Sequence, residues 1–64
     1  MDDQNNRGYI IEFITVGQAM KVTAIDPVTL REVSIVGNPK ASQRELADAA
    51  IEKLKYVIAK EKDA

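Results

Sequence analysis

A segment rich in aromatic and β-branched residues, 8–16, is followed by the pair Gly17-Gln18 and a second strand-like segment, 19–25, and this arrangement constrains the fold more than any other feature. A Gly-X pair suits a two-residue type II′ hairpin turn, because glycine adopts the positive φ that the first turn position requires. This turn places Phe13 opposite Val22 and gives the hairpin one apolar face. The residues predicted on that core face are Tyr9, Ile11, Phe13, Met20, Val22 and Ala24.

A third strand is predicted after the segment 26–29, which reads Asp-Pro-Val-Thr. This is a turn sequence, because the aspartate carboxylate can accept hydrogen bonds from the turn and proline fixes φ at the next position. Pairing Asp26 with Arg31 around a four-residue loop brings Val33 and Ile35 to the core face. A shift of one residue would bury a glutamate and a serine instead, at a much higher cost. The strands are therefore expected at 8–16, 19–25 and 31–36.

A capping box at 42–45, Ser-Gln-Arg-Glu, predicts the start of a helix that runs to about Lys60. One side of this helix is apolar at 3.6-residue spacing. The predicted stripe consists of Leu46, Ala47, Ala50, Ile51, Leu54, Val57 and Ile58. Lying across the sheet, a helix about 28 Å long would exceed the width of three strands. Part of it is then expected to overhang or to be covered by a partner.

The predicted fold class is α+β, a three-stranded antiparallel meander in order 1-2-3 with one C-terminal helix packed on one face (βββα). We expect a disordered tail at 1–7, a single domain at 8–61 and a frayed C-terminus at 62–64. The amino-terminal residues are acidic and amide-rich, without the apolar stretch of a signal peptide or a membrane anchor. The expected localisation is cytoplasmic, with no membrane partner.

The composition leaves little chemistry for catalysis. The 64 residues include neither cysteine nor histidine, so thiolate and imidazole catalysis and the usual transition-metal ligands are excluded. The three glycines stand apart, at strand ends or turns, and form no phosphate-binding loop. Glu12 and Glu32 share the outer sheet face, but a whole strand separates them. We therefore predict no enzyme and no catalytic, cofactor-binding or metal-binding residues, and no cofactor.

Nucleic-acid binding is the alternative function that the sequence leaves open. The helix carries lysines at 53, 55, 60 and 62, but acidic residues at 52, 61 and 63 lie between them. Nine Lys and Arg against ten Asp and Glu give a formal charge of −1, which is weak support for phosphate binding. A solvated amphipathic helix explains this pattern more simply.

The outer face of the predicted sheet is unusually apolar for a face open to water. The first strand is also an edge, apolar on both sides, with only Glu12 to discourage pairing. We therefore predict a homodimer or an unidentified protein partner. A homodimer could form edge to edge, as a six-stranded sheet, or face to face, as a sandwich. The candidate interface residues are Ile10, Ile14, Val16, Ile25, Val36 and Tyr56.

Three stretches resemble a family of very small uncharacterised proteobacterial proteins that carry a domain of unknown function. They are Val-Thr-Ala-Ile-Asp-Pro at 22–27, Glu-Val-Ser-Ile-Val-Gly at 32–37 and Lys-Leu-Lys-Tyr-Val at 53–57. The resemblance extends over residues 9–60 and implies no assigned activity. Similar short sequences sometimes carry the label of serine hydroxymethyltransferase. A chain this small has no room for the pocket that a cofactor-binding lysine needs.

The second turn departs from the pattern of that family, which reads Asp-Pro-x-Thr-Gly. This sequence has Leu30 at the position of the glycine. If the position requires a positive φ, the resemblance implies that Leu30 is strained by about 1–2 kcal/mol. Otherwise the turn is of a different type.

Overall fold

The computed structural model describes residues 8–63 and shows three antiparallel strands in the order 1-2-3, followed by one helix. The elements are β1 (Ile10–Val16), β2 (Ala19–Ile25), β3 (Glu32–Gly37) and α1 (Gln43–Asp63). This arrangement confirms the predicted α+β fold. The predicted tail at 1–7 lies outside the described residues, as does residue 64.

The first hairpin has the predicted register, with Phe13 opposite Val22. Gly17, at the first turn position, has a φ of 61°. Gln18, at the second, does not have a positive φ, because Leu30 is the only described non-glycine residue that has one. A positive φ at the first turn position only is the pattern of a type II′ turn. The β1 strand begins at Ile10, two residues later than predicted.

The turn between β2 and β3 contains the predicted four-residue loop. The Asp26 N–H donates to the Arg31 carbonyl at 2.9 Å, and the Leu30 N–H donates to the Asp26 carbonyl at 2.7 Å. The Asp26 carboxylate accepts a hydrogen bond from the Val28 N–H at 2.9 Å. Asp26 therefore holds the turn with both its main chain and its side chain, as its place before proline suggested.

Leu30 is left-handed, with a φ of 64°, and its side chain is 75% exposed. A leucine in this conformation is strained and gains little from burial, whereas glycine adopts it freely. We expect Leu30→Gly to stabilise the fold by about 1 kcal/mol and to raise the Tm by roughly 4–8 °C. Thermal unfolding followed by circular dichroism measures this. A lower Tm would mean that the left-handed conformation costs Leu30 little.

The start of α1 is a reciprocal capping box. The Glu45 N–H donates to Ser42 Oγ at 3.0 Å, and the Ser42 N–H donates to Glu45 Oε1 at 3.3 Å. These bonds satisfy main-chain donors that a helix leaves free at its first turn. The helix continues to Asp63, three residues beyond the predicted end at Lys60, so 62 and 63 are helical.

The direction of α1 differs from the prediction. The helix runs along β3 in the opposite direction, rather than across the strands. Three contacts mark this path, and from the start of the helix to its end they join Leu46 to Gly37, Lys53 to Ser34, and Glu61 to Arg31. Three strand residues and seven helical residues each advance by about 10 Å, so the two elements stay together. The transverse orientation is therefore wrong, but the helix of 21 residues is about 31 Å long and still extends beyond the six residues of β3, which span about 20 Å.

The core lies between α1 and the predicted face of the sheet. Its buried residues are Val22, Ala24, Leu46, Ala50, Ile51 and Leu54. Partly buried residues pack around it, namely Tyr9, Ile11, Phe13, Met20, Val33, Ile35, Ala41 and Ile58. Ala41 was not predicted, and Ala47 and Val57 of the predicted stripe are only half-buried. The helix packs mainly against β2 and β3, which leaves the inner side of β1 less covered.

Candidate interaction surface

The two edges of the sheet present main-chain groups that β2 does not use. Residues flanking a two-residue hairpin loop bond to each other, and bonded pairs then alternate with unbonded pairs along the ladder. Val16 and Ala19 flank the loop between β1 and β2. The main-chain N–H and C=O groups of Ile11, Phe13 and Thr15 therefore point away from β2, toward the free edge of β1.

Side chains of the helix reach the edge of β3. Extending the alternation across β2 makes the main-chain groups of Ser34 point outward from β3. The Lys53 ammonium donates to the Ser34 carbonyl at 2.9 Å, in agreement with that direction. Arg31 and Glu61 form an ion pair at 2.9 Å near the start of the strand. Lysine at a sheet edge discourages pairing with another chain, so this edge is protected.

Within residues 8–63, no comparable side-chain hydrogen bond reaches the edge of β1. Glu12 is the only charged residue in the strand. Ile10 and Ile14 point to the outer face and are each 48% exposed, while Ile11 and Phe13 on the inner face are half-buried. A long edge strand that is apolar on both faces is an open template for pairing with another strand. The two edges of this sheet are therefore unequal.

Five of the six predicted interface residues share the sheet face opposite α1. Ile10, Ile14 and Val16 come from β1, with Ile25 beside them on β2 and Val36 on β3. Val16 is 55% exposed and Val36 is 73% exposed, whereas Ile25 is half-buried. Charged residues interrupt this apolar patch, because Glu12 lies between Ile10 and Ile14 along β1 and Lys21 lies between Ile14 and Val36 across the sheet.

Tyr56 does not share this face. It lies on α1, on the other side of the sheet, and is 63% exposed. The Lys60 ammonium lies 5.7 Å from the centroid of its ring, within the range of a cation–π contact. Tyr56 is therefore separate from the apolar patch, although its predicted exposure agrees with the structure.

A buried hydroxyl pair lies in the middle of the outer face. Thr23 is only 6% exposed, and its Oγ1 lies 2.8 Å from Ser34 Oγ on the adjacent strand. The predicted register implies that both residues lie on this face, because Val22 and Val33 beside them point to the core. Their opposition in the register was the available signal, since Thr–Ser pairs across strands form such bonds. Each hydroxyl has a partner, which makes the centre of the face less polar than its composition suggests.

The described residues offer no grouping suited to metal chemistry. Among the described side chains, those of 8–62, no three Asp or Glu lie close enough to hold a metal ion, and the chain has no His or Cys. Over the same part of the chain, no helix combines the length and the apolar character needed to cross a bilayer. The features that stand out on this molecule are therefore apolar and main-chain groups at a sheet edge.

These features define a small α+β domain of βββα topology in which, among residues 8–63, the helix contacts the edge of β3 and leaves the edge of β1 open. The chain belongs to the family described as Domain of unknown function (DUF6898), whose model matches residues 6–61. The match confirms the resemblance to a family of unknown function, and the family description names no enzymatic activity. Comparison with curated proteins gave no match. Comparison with solved structures gave no match either.

Proposed function

We propose that this chain is a small, non-enzymatic protein-interaction domain that associates with a second copy of itself through the edge of β1. The observation that carries the proposal is the inequality of the two sheet edges. Lys53 of the helix donates to the edge of β3, whereas Ile10 and Ile14 make β1 apolar and half-exposed beside main-chain groups that β2 does not use.

Association through this edge has two sources of free energy. The outward N–H and C=O groups of Ile11, Phe13 and Thr15 would bond to a second strand, as in other cases of strand addition. Apolar side chains on both faces of β1 would also lose contact with water, at about 25 cal/mol per Å². A chain of 64 residues buries only about 60% of its unfolded surface, so further burial stabilises it appreciably.

A second copy is the partner that the strand itself supports. Two copies related by a two-fold axis present the same edge to each other, so both lose an unprotected strand in one step. A different protein that supplied a strand would protect only one copy. Most soluble oligomers consist of copies of a single chain, and two-fold dimers are the commonest of them.

The nucleic-acid alternative has weaker support. Lys53 donates to the Ser34 carbonyl and Lys60 lies over the Tyr56 ring, so two of the helix lysines contribute to intramolecular contacts. Acidic residues lie between the others, and the formal charge is −1. Phosphate binding favours several free cations on one face.

Proline at an outward-pointing position tests the use of the edge. Thr15→Pro removes an N–H that β2 does not use, so the monomer should fold while strand addition is blocked. We expect light scattering to show a molar mass rising from 7.1 kDa toward twice that value for the unmodified chain. Thr15→Pro should stay near the mass of one chain over the same range of concentrations.

Val36→Pro is the matched control, because it removes an outward N–H from the protected edge on β3. It should associate like the unmodified chain. Circular dichroism verifies that both variants keep the helix. A single-chain mass for the unmodified protein at high micromolar concentration would contradict self-association. Association of both proline variants would instead indicate face-to-face contact between sheets.

A further inference from the structure

We propose that the two copies pair antiparallel with Phe13 on the two-fold axis, forming one six-stranded sheet with both helices on the same side. This inference rests on the proposed use of the β1 edge and specifies the register of the contact.

The main-chain groups of β1 point alternately toward β2 and away from it, and this alternation limits the registers in which two copies can pair. Only the outward main-chain groups of residues such as Ile11, Phe13 and Thr15 can bond across the new contact. The two-fold axis must then pass through Glu12, Phe13 or Ile14 if most of the strand is to pair. Because β1 has seven residues and Phe13 is the middle one, only the register centred there pairs all of them.

The charge of Glu12 favours the same register. An axis through Glu12 would place two carboxylates directly opposite each other, in an unbonded pair with Cα atoms about 4.5 Å apart. An axis through Phe13 places Glu12 opposite Ile14 of the second copy. The two Glu12 carboxylates are then diagonal neighbours rather than direct cross-strand partners. An axis through Ile14 also separates the charges, but it leaves Ile10 and Ile11 without partners.

The inner face supplies a further reason. The helix packs mainly against β2 and β3, and Phe13 beneath its margin is only half-buried. A two-fold axis normal to the sheet keeps both helices on one side and brings the two Phe13 rings together between them. Aromatic pairs stabilise a contact beyond the area they bury. On the outer face, Ile10 and Val16, 48% and 55% exposed, become cross-strand partners.

A pair of charge variants at Ile14 tests the register. With the axis at Phe13, Ile14→Glu creates two like-charge pairs with Glu12, whereas Ile14→Lys creates two opposite-charge pairs. We expect the dissociation constant of Ile14→Glu to exceed that of Ile14→Lys at least tenfold at low salt. The difference should shrink as salt is added. Equal dissociation constants, or the reverse order, would overturn the register.

Disulfide trapping provides a second test, in a chain that has no cysteine of its own. Glu12→Cys and Ile14→Cys chains are mixed and oxidised. With the axis at Phe13, the two cysteines form an unbonded pair at about 4.5 Å between Cα atoms, within the range for a disulfide. We expect the mixed disulfide to exceed both like-with-like products.

The other outcomes overturn the register and separate it from the proposed function. A dominant Glu12→Cys homodisulfide would place the axis at residue 12, and a dominant Ile14→Cys homodisulfide would place it at residue 14. Dimers that light scattering detects but oxidation does not trap would show a different contact, and insensitivity to Thr15→Pro would then exclude the edge itself. A single-chain mass would contradict the proposed function.

Discussion

Leu54→Ala is expected to unfold most of the protein. Leu54 is fully buried at the centre of the contact between α1 and the sheet. Replacing a buried leucine with alanine costs about 2–5 kcal/mol, since apolar contacts are lost and a cavity remains. A single core in a chain this small supplies only about 3–5 kcal/mol in total. Urea unfolding followed by circular dichroism should show a much lower urea concentration at the midpoint, or no folded baseline at all.

Leu30→Ala is the matched control, because it removes the same atoms from a leucine that is 75% exposed. Its cost should stay within about 0.5 kcal/mol, as for most surface substitutions. Both variants are compared at one protein concentration, because self-association would stabilise the folded state. Equal midpoints for the two variants would contradict the placement of Leu54 in the core.

The topology was predictable because independent local signals agreed. Gly17 fixed the first turn, and the alternation of apolar residues around it gave the same register. Asp26 and its proline fixed the second turn in the same way, and the pair Ser42 and Glu45 marked the start of the helix. Each signal depends on residues close in sequence, and their hydrogen bonds and backbone preferences do not depend on the rest of the fold.

The path of the helix was not predictable from the same signals. An apolar stripe identifies the side of a helix that is buried, but it leaves open the angle at which the helix crosses the strands. The direction became apparent only from contacts such as those of Lys53 with Ser34 and of Glu61 with Arg31. The sequence does not distinguish which lysine of the helix contacts β3. Only the orientation of the packed helix determines that it is Lys53.

The candidate surface was therefore predictable in part. The register alone placed Ile10, Ile14 and Val36 on one face, and their exposure follows because the helix packs on the opposite face. The inequality of the two edges depends on which strands the helix covers, so it required the structure. The bond between Thr23 and Ser34 depends on side-chain rotamers as well as on register.

Gly37 provides a sharp test of how closely the helix approaches β3. Its φ is not positive, so glycine is not required there by the backbone. A Cβ atom at this position would instead lie 2.5 Å from Cδ2 of Leu46, a side chain that is only 7% exposed. We expect Gly37→Ala to destabilise the protein by about 1–3 kcal/mol, the usual cost of overpacking a core. Urea unfolding measures it.

A double-mutant cycle separates this steric cost from other effects of the alanine. In a Leu46→Val background the side chain is shorter, so Gly37→Ala should cost at least about 0.5 kcal/mol less than in the unmodified chain. Gly17→Ala is the control, because its Cβ would meet nothing within 4 Å and its cost comes from a φ of 61°. That cost should be the same in both backgrounds. Additivity of Gly37→Ala with Leu46→Val would contradict the close approach of α1 to β3, because strain that arises from one contact must disappear when the contacting atom is removed.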